Sequence, residues 1–252
     1  MDFVVVSLAS FLAGLVDAIV GGGGLILVPA LFASFPGAAP ATLLGTNKSA
    51  SVWGTAIAAL QYGRRVQIDW GVVAPAAAAA LLGAFAGAWA VTQVDSRFLR
   101  QLLPFVLLGV LLYTLARKKL GEVHAPRQPP GRAVAMGCAI GGLVGVYDGF
   151  FGPGTGSFFI FLLVRFLGYD FLHASASAKL LNVATNGAAL ALFAAKGHVW
   201  WQLGLVMAVA NVAGSLVGSR LALQHGAVFV RHVFIAVVAA LILKTGFDAF
   251  WR

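Results

Sequence analysis

DAIVGGGGLILVPAL, Asp17 to Leu31, is an apolar stretch interrupted by four consecutive glycines, and DGFFGPGTGSFFIFL, Asp148 to Leu162, is a second one interrupted by glycines around a proline. Each glycine weakens a helix by ~1 kcal/mol relative to alanine, and Pro153 removes a backbone donor. Both segments therefore read as helices that stop and restart. The surrounding chain is so apolar that the restart falls inside a membrane, where irregular backbone is tolerated only if it lines a cavity or is buried in protein. Two readings follow: the breaks free backbone amides and helix N-termini near Leu25 and Thr155 to face an anion, or the glycines let helices cross closely. Their density and recurrence favour the first, with Gly21, Gly22, Gly23, Gly24, Gly152, Gly154 and Thr155 as substrate-binding candidates.

Composition sets the frame. Of 252 residues, 60% are hydrophobic and 10% charged, and the mean hydropathy is +0.93. A soluble domain carries about 25% charged residues, so this surface faces lipid. Charge-free runs at 18–47, 70–94, 101–116, 149–164 and 199–219 lack the alternation of barrel strands. The expected fold is an all-α polytopic membrane protein with segments at 3–20, 24–35, 42–62, 69–93, 98–116, 133–151, 155–168, 173–195, 199–221 and 228–250. Soluble enzymes and disulfide scaffolds are excluded. Net charge +9 resides mostly in short connections (Arg64-Arg65, Arg117-Lys118-Lys119, Arg127, Arg132), which suits anionic headgroups rather than nucleic acid. Cys138 is alone, no Cys/His cluster has metal-ligand spacing, and neither metal nor cofactor is expected.

The two broken segments are equivalent positions of an internal repeat. A shift of 131 places residues 1–121 on 132–252 without a gap and leaves the polar, proline-rich linker 122–131, EVHAPRQPPG, between them. It pairs Asp17 with Asp148, Gly14 with Gly145, Lys48 with Lys179, Trp70 with Trp201, Gly83 with Gly214 and Gly87 with Gly218. With six lysines in 252 residues, a chosen lysine meets another by chance about one time in forty. Duplicated halves are usual in secondary transporters. Basic residues do not settle their orientation, since five or four crossings per half both give ten inside and five outside. Residues 1–35 would form a helix of ~50 Å, too long for one crossing, which favours about five segments per half and inverted repeats.

Each half also carries a lysine within an apolar segment: TNKSAS, Thr46 to Ser51, and SAKLLN, Ser177 to Asn182. An ammonium near a helix centre costs ~2.5–3.5 kcal/mol, so Lys48 and Lys179 are functional candidates unless they snorkel to headgroups. Asn47 is adjacent, and Ser51, Thr55, Asn182 and Asn186 follow the lysines at three and seven residues, forming one polar stripe per helix. Asp17 and Asp148 are either proton-coupling groups or counter-ions of the lysines. Trp70, Trp200 and Trp201 read as interface anchors, and His198, His225 and His232 as solvated.

In GLVDAIVGGGGLILVPAL, GTNKSAS, YDGFFGPGTGSFF (Tyr147 to Phe159) and ASASAKLLNVATN (Ala174 to Asn186), the chain resembles the TauE/SafE family of membrane permeases, over nearly its whole length. The resemblance implies transport of sulfur-containing oxyanions or organosulfonates. The expectation is a secondary transporter in a bacterial inner membrane, working by alternating access between the repeats, with lipid, a small anion and protons as partners. No phosphate-binding G-x-x-x-x-G-K-[ST] loop is present, so coupling falls to an ion or to the substrate gradient. An anion channel is the alternative, and a membrane-embedded enzyme using Lys48 or Asp17 lacks a recognisable nucleophile arrangement.

Overall fold

The computed structural model describes residues 2–91, 108, 121, 123–126 and 128–250; the expected segment 98–116 and the basic cluster Arg117-Lys118-Lys119 lie outside them. The described residues form helices and their connections. These are α1 (Asp2–Val20), α2 (Gly24–Ser34), α3 (Pro40–Gly63), α4 (Trp70–Val91), α5 (Pro130–Phe150), α6 (Thr155–Leu162, extended by a π-helical turn Leu163–Leu167), α7 (Phe171–Ala195) and α8 (Trp201–Phe250). Helices satisfy their own backbone groups, as hydrocarbon requires. The expected gap between 199–221 and 228–250 shrinks to one residue: within α8 only Gly226 leaves the helix, at φ 73° and ψ −167°.

Among the described residues, five helices are long and apolar enough to cross a bilayer: Phe3–Val20, Trp70–Val91, Pro130–Phe150, Phe171–Ala195 and Trp201–Ala240. Their outer faces carry exposed Leu82, Leu143 and Val209, which in water would cost burial energy and in lipid cost nothing. Helix α3 is of similar length but buries the polar Thr46, Asn47, Lys48 and Ser49, consecutive residues that point all round the helix, together with Thr55. Pro40 at its first position and Asp170 capping α7 fix where these two polar helices begin.

Small residues bring the helices together. Helix α1 lies along α8, and α4 along α5, while α3 packs on α7 and α8 and α4 also packs on α7. A β-carbon on Gly145 or Gly149 of α5 would strike the backbone of Ala80 or Ala84 of α4. One on Gly214 or Gly218 of α8 would strike Phe11 or Leu15 of α1. Between lipid-solvated helices such close packing supplies the association that hydrophobic burial supplies in water.

Candidate functional site

The breaks form where expected. Helix α1 ends with Gly21 N–H donating to Asp17 O at 2.8 Å, Gly21 takes φ 78°, and α2 starts at Gly24. In the second break Gly152 and Gly154 take φ 88° and 84° before Thr155 opens α6. These left-handed conformations are the ones a β-carbon disfavours. The breaks also touch: Ser157 N–H donates to Gly21 O at 3.1 Å and Ser157 Oγ to Val20 O at 2.9 Å, so loose groups of each break satisfy the other. A β-carbon on Gly21 or Gly156 would meet the other's backbone. The glycines thus permit the close crossing of the two breaks.

Two lysines reach across this crossing. Lys48 Nζ on α3 donates to Asp148 Oδ2 on α5 at 2.8 Å and to Asn186 Oδ1 on α7 at 2.9 Å. Thr155 Oγ1 lies 2.7 Å from Asp148 Oδ1 and 2.6 Å from Gly152 O, sharing its proton between them. Lys179 Nζ on α7 donates to Asp17 O and, at 3.3 Å, to Asp17 Oδ2 on α1. Each lysine therefore pairs with the aspartate from the other half of the sequence. Lys48 is 4% and Lys179 0% exposed, which removes the snorkelling reading, since a snorkelling ammonium ends in water. Both aspartates are ion-paired to lysines. The pairs differ in quality: the Asp148 carboxylate is 3% exposed and accepts two short bonds, from Lys48 and Thr155, whereas that of Asp17 accepts longer ones, including one of 3.4 Å from Thr55 Oγ1.

Beside the pairs lies a cavity of about 30 Å³, room for roughly two waters at ~10–15 Å³ each. Its lining includes Asp17, Gly21, Gly23, Gly24, Asn47, Lys48, Ser51, Asp148, Gly152, Thr155, Asn182 and Asn186, all singled out by the sequence. Glycines can line it only with backbone, so both breaks present main-chain atoms to it. Gly22, Gly154 and Lys179 are not among the lining residues, Lys179 sitting behind Asp17. Asn47 Oδ1 is buried with no hydrogen-bond partner among the described residues. Sequence reasoning missed Asn211 of α8, which lines the cavity while its amide donates to Ser10 O at 3.0 Å. Its signal was an isolated amide in the charge-free run 199–219.

The peripheral assignments divide. Trp70, Trp200 and Trp201 are exposed beside helix starts, as interface residues should be, and His225 and His232 are exposed. His198 is instead half-buried, its Nδ1 3.3 Å from Thr42 Oγ1, because the turn after α7 folds onto the start of α3.

A bundle of membrane-crossing helices with two interrupted segments and crossed buried ion pairs around a cavity defines a membrane transporter. The chain belongs to the sulfite exporter TauE/SafE family, whose sequence model matches residues 6–245. It is 38% identical over 240 residues to the "Probable membrane transporter protein YfcA" of Escherichia coli strain K12, covering 95% of this chain and 88% of that protein. It is also 37% identical to the "Probable membrane transporter protein ORF9" of a Sinorhizobium species, over 94% of this chain and 89% of that one. A "Probable membrane transporter protein" of Haemophilus influenzae is 33% identical, with 96% and 93% covered. No solved structure matches the chain. The family is one of transporters rather than enzymes, and a small solute is what such a protein carries.

Proposed function

We propose that the protein carries a small anion of the sulfur oxyanion or organosulfonate class across a bacterial inner membrane by alternating access at this cavity, between inverted repeats 1–121 and 132–252. The observation that carries the reading is the crossed pairing of Lys48 with Asp148 and Lys179 with Asp17. Under the shift of 131 each pair becomes the other, and Asn186 maps onto Thr55, its own partner at 3.5 Å. The seams behave alike: Gly14 against Asn211 maps onto Gly145 against Ala80, and Gly218 against Leu15 onto Gly87 against Val146. A site between two such halves is where rocking of one half on the other changes access.

The charges support an anion accompanied by a proton. Two ammoniums and two carboxylates sum to zero, so an arriving anion leaves the buried site negative unless a proton comes with it. The anion competes for the lysines, and a carboxylate losing its lysine takes up the proton. The cavity's small size favours a carrier over an open channel, since a sulfur oxyanion enters only as the helices part. The experiment is a thermal-shift screen of purified protein against sulfite, thiosulfate, sulfate, sulfonates and carboxylates, followed by counterflow in liposomes. A solute that binds the folded state raises its melting temperature. Stabilisation by carboxylates alone, or counterflow of none of the sulfur anions, would overturn the substrate class.

A further inference from the structure

Outside the membrane-embedded cavity, the fold gathers three metal-ligating side chains that the sequence keeps apart. His124 comes from the linker between the halves, and Asp170 and His173 from the start of α7. Their ligand atoms all lie within 4.8 Å of one another. The gathering is built. The linker's Ala125 N–H donates to Gly168 O at 2.9 Å, and Phe171 N–H donates to Gly121 O at 2.8 Å, tying both sides of His124 to the turn before α7. The His124 ring stacks on His173 with centroids 3.9 Å apart. Asp170 divides its oxygens: Oδ1 accepts from His173 N–H at 2.7 Å, capping α7, and Oδ2 accepts from His173 Nδ1 at 2.8 Å.

We propose that His124, Asp170 and His173 form a binding site for a divalent transition-metal ion of the zinc type, which clamps the linker to the N-terminus of α7. Two imidazoles and a carboxylate are the donor set such ions take, with water completing the shell. Donors at ~2.1 Å from a tetrahedral ion stand ~3.4 Å apart, and exposed His124 closes the remaining distance by turning its ring. Coordination by Asp170 Oδ2 leaves the Oδ1 cap intact. Helix α7 carries Asn182 and Asn186 to the lining of the cavity, so the clamp joins the connection between the halves to one of the cavity's own helices.

The test uses full-length protein purified without a histidine tag and titrated with Co²⁺ and Zn²⁺, reading the Co²⁺ absorption band, metal content and melting temperature. One ion per chain is expected. Affinity should fall at least ~10-fold in H124Q, H173Q and D170N, the last of which keeps a capping oxygen. The H225Q/H232Q protein should bind as the unaltered chain does. Overturning results are no binding up to millimolar metal, unchanged affinity in H124Q and H173Q, or loss of the ion in H225Q/H232Q. Because metal binding is read directly, these outcomes are independent of which solute the protein transports.

Discussion

Lys48 holds a carboxylate with one hydrogen bond and an amide with another, and both partners are buried. Replacing it by Met keeps the stem, and a hydrogen bond to a charged group is worth ~1.5–3 kcal/mol, so anion affinity is expected to fall roughly 10- to 150-fold. The variant also strands Asp148, which can cost ~3–5 kcal/mol of stability. The double change Lys48→Met with Asp148→Asn removes that stranded charge, and its affinity, measured on folded protein, should stay low; wild-type affinity there would exclude the ammonium from the anion site. If the aspartates couple transport to protons, Asp17→Asn, Asp148→Asn or both are expected to bind substrate and exchange it in counterflow but to lose accumulation driven by a pH gradient. Undiminished pH-driven uptake by both single variants and the double variant would remove the aspartates from coupling. That these residues belong together was legible from their rarity in an apolar chain; which lysine faces which aspartate was not, because 100 and 162 residues separate the partners.

At the scale of the element, the helix breaks are the most sequence-determined feature. Glycine density and Pro153 locate both interruptions within a residue or two, because backbone propensity is local. Gly21 tests what the break does. A β-carbon there adds ~1–2 kcal/mol for the left-handed backbone and a further ~1–3 kcal/mol for collision with Gly156. Gly21→Ala should therefore lower the melting temperature of detergent-purified protein markedly, while Gly37→Ala, whose β-carbon meets nothing within 4 Å among the described residues, should leave it unchanged. Equal melting of the two variants would mean that the breaks do not lean on each other. The sequence reading also placed a break between 199–221 and 228–250, and the structure narrows it to Gly226 alone, because a single left-handed glycine is enough to interrupt the helix there.

For the whole molecule, the open structural question is the orientation of the halves. An odd number of crossings per half inverts them and puts both termini on the face opposite the linker. Cysteines introduced at Asp2 and Arg252 in a Cys138→Ser background should then react with an impermeant thiol reagent from outside the cell, and one at Gln128 only from the cytoplasm. Labelling of both termini from the cytoplasm alone would make the repeats parallel. Charge bias left this undecided because the basic residues sum to the same division under either count.

The sequence alone determined that this chain lives in a bilayer, where its helices stop and restart, and which few polar residues lie in apolar segments. Each rests on composition or short-range backbone preference, which a linear string carries. Tertiary structure decided the crossed ion pairs, the entry of Asn211 into the cavity, the burial of Lys179 behind Asp17 and the meeting of His124 with Asp170 and His173. These depend on which helices pack together, and packing between lipid-solvated helices is chosen by surface shape, a property of folded pairs that no local stretch encodes.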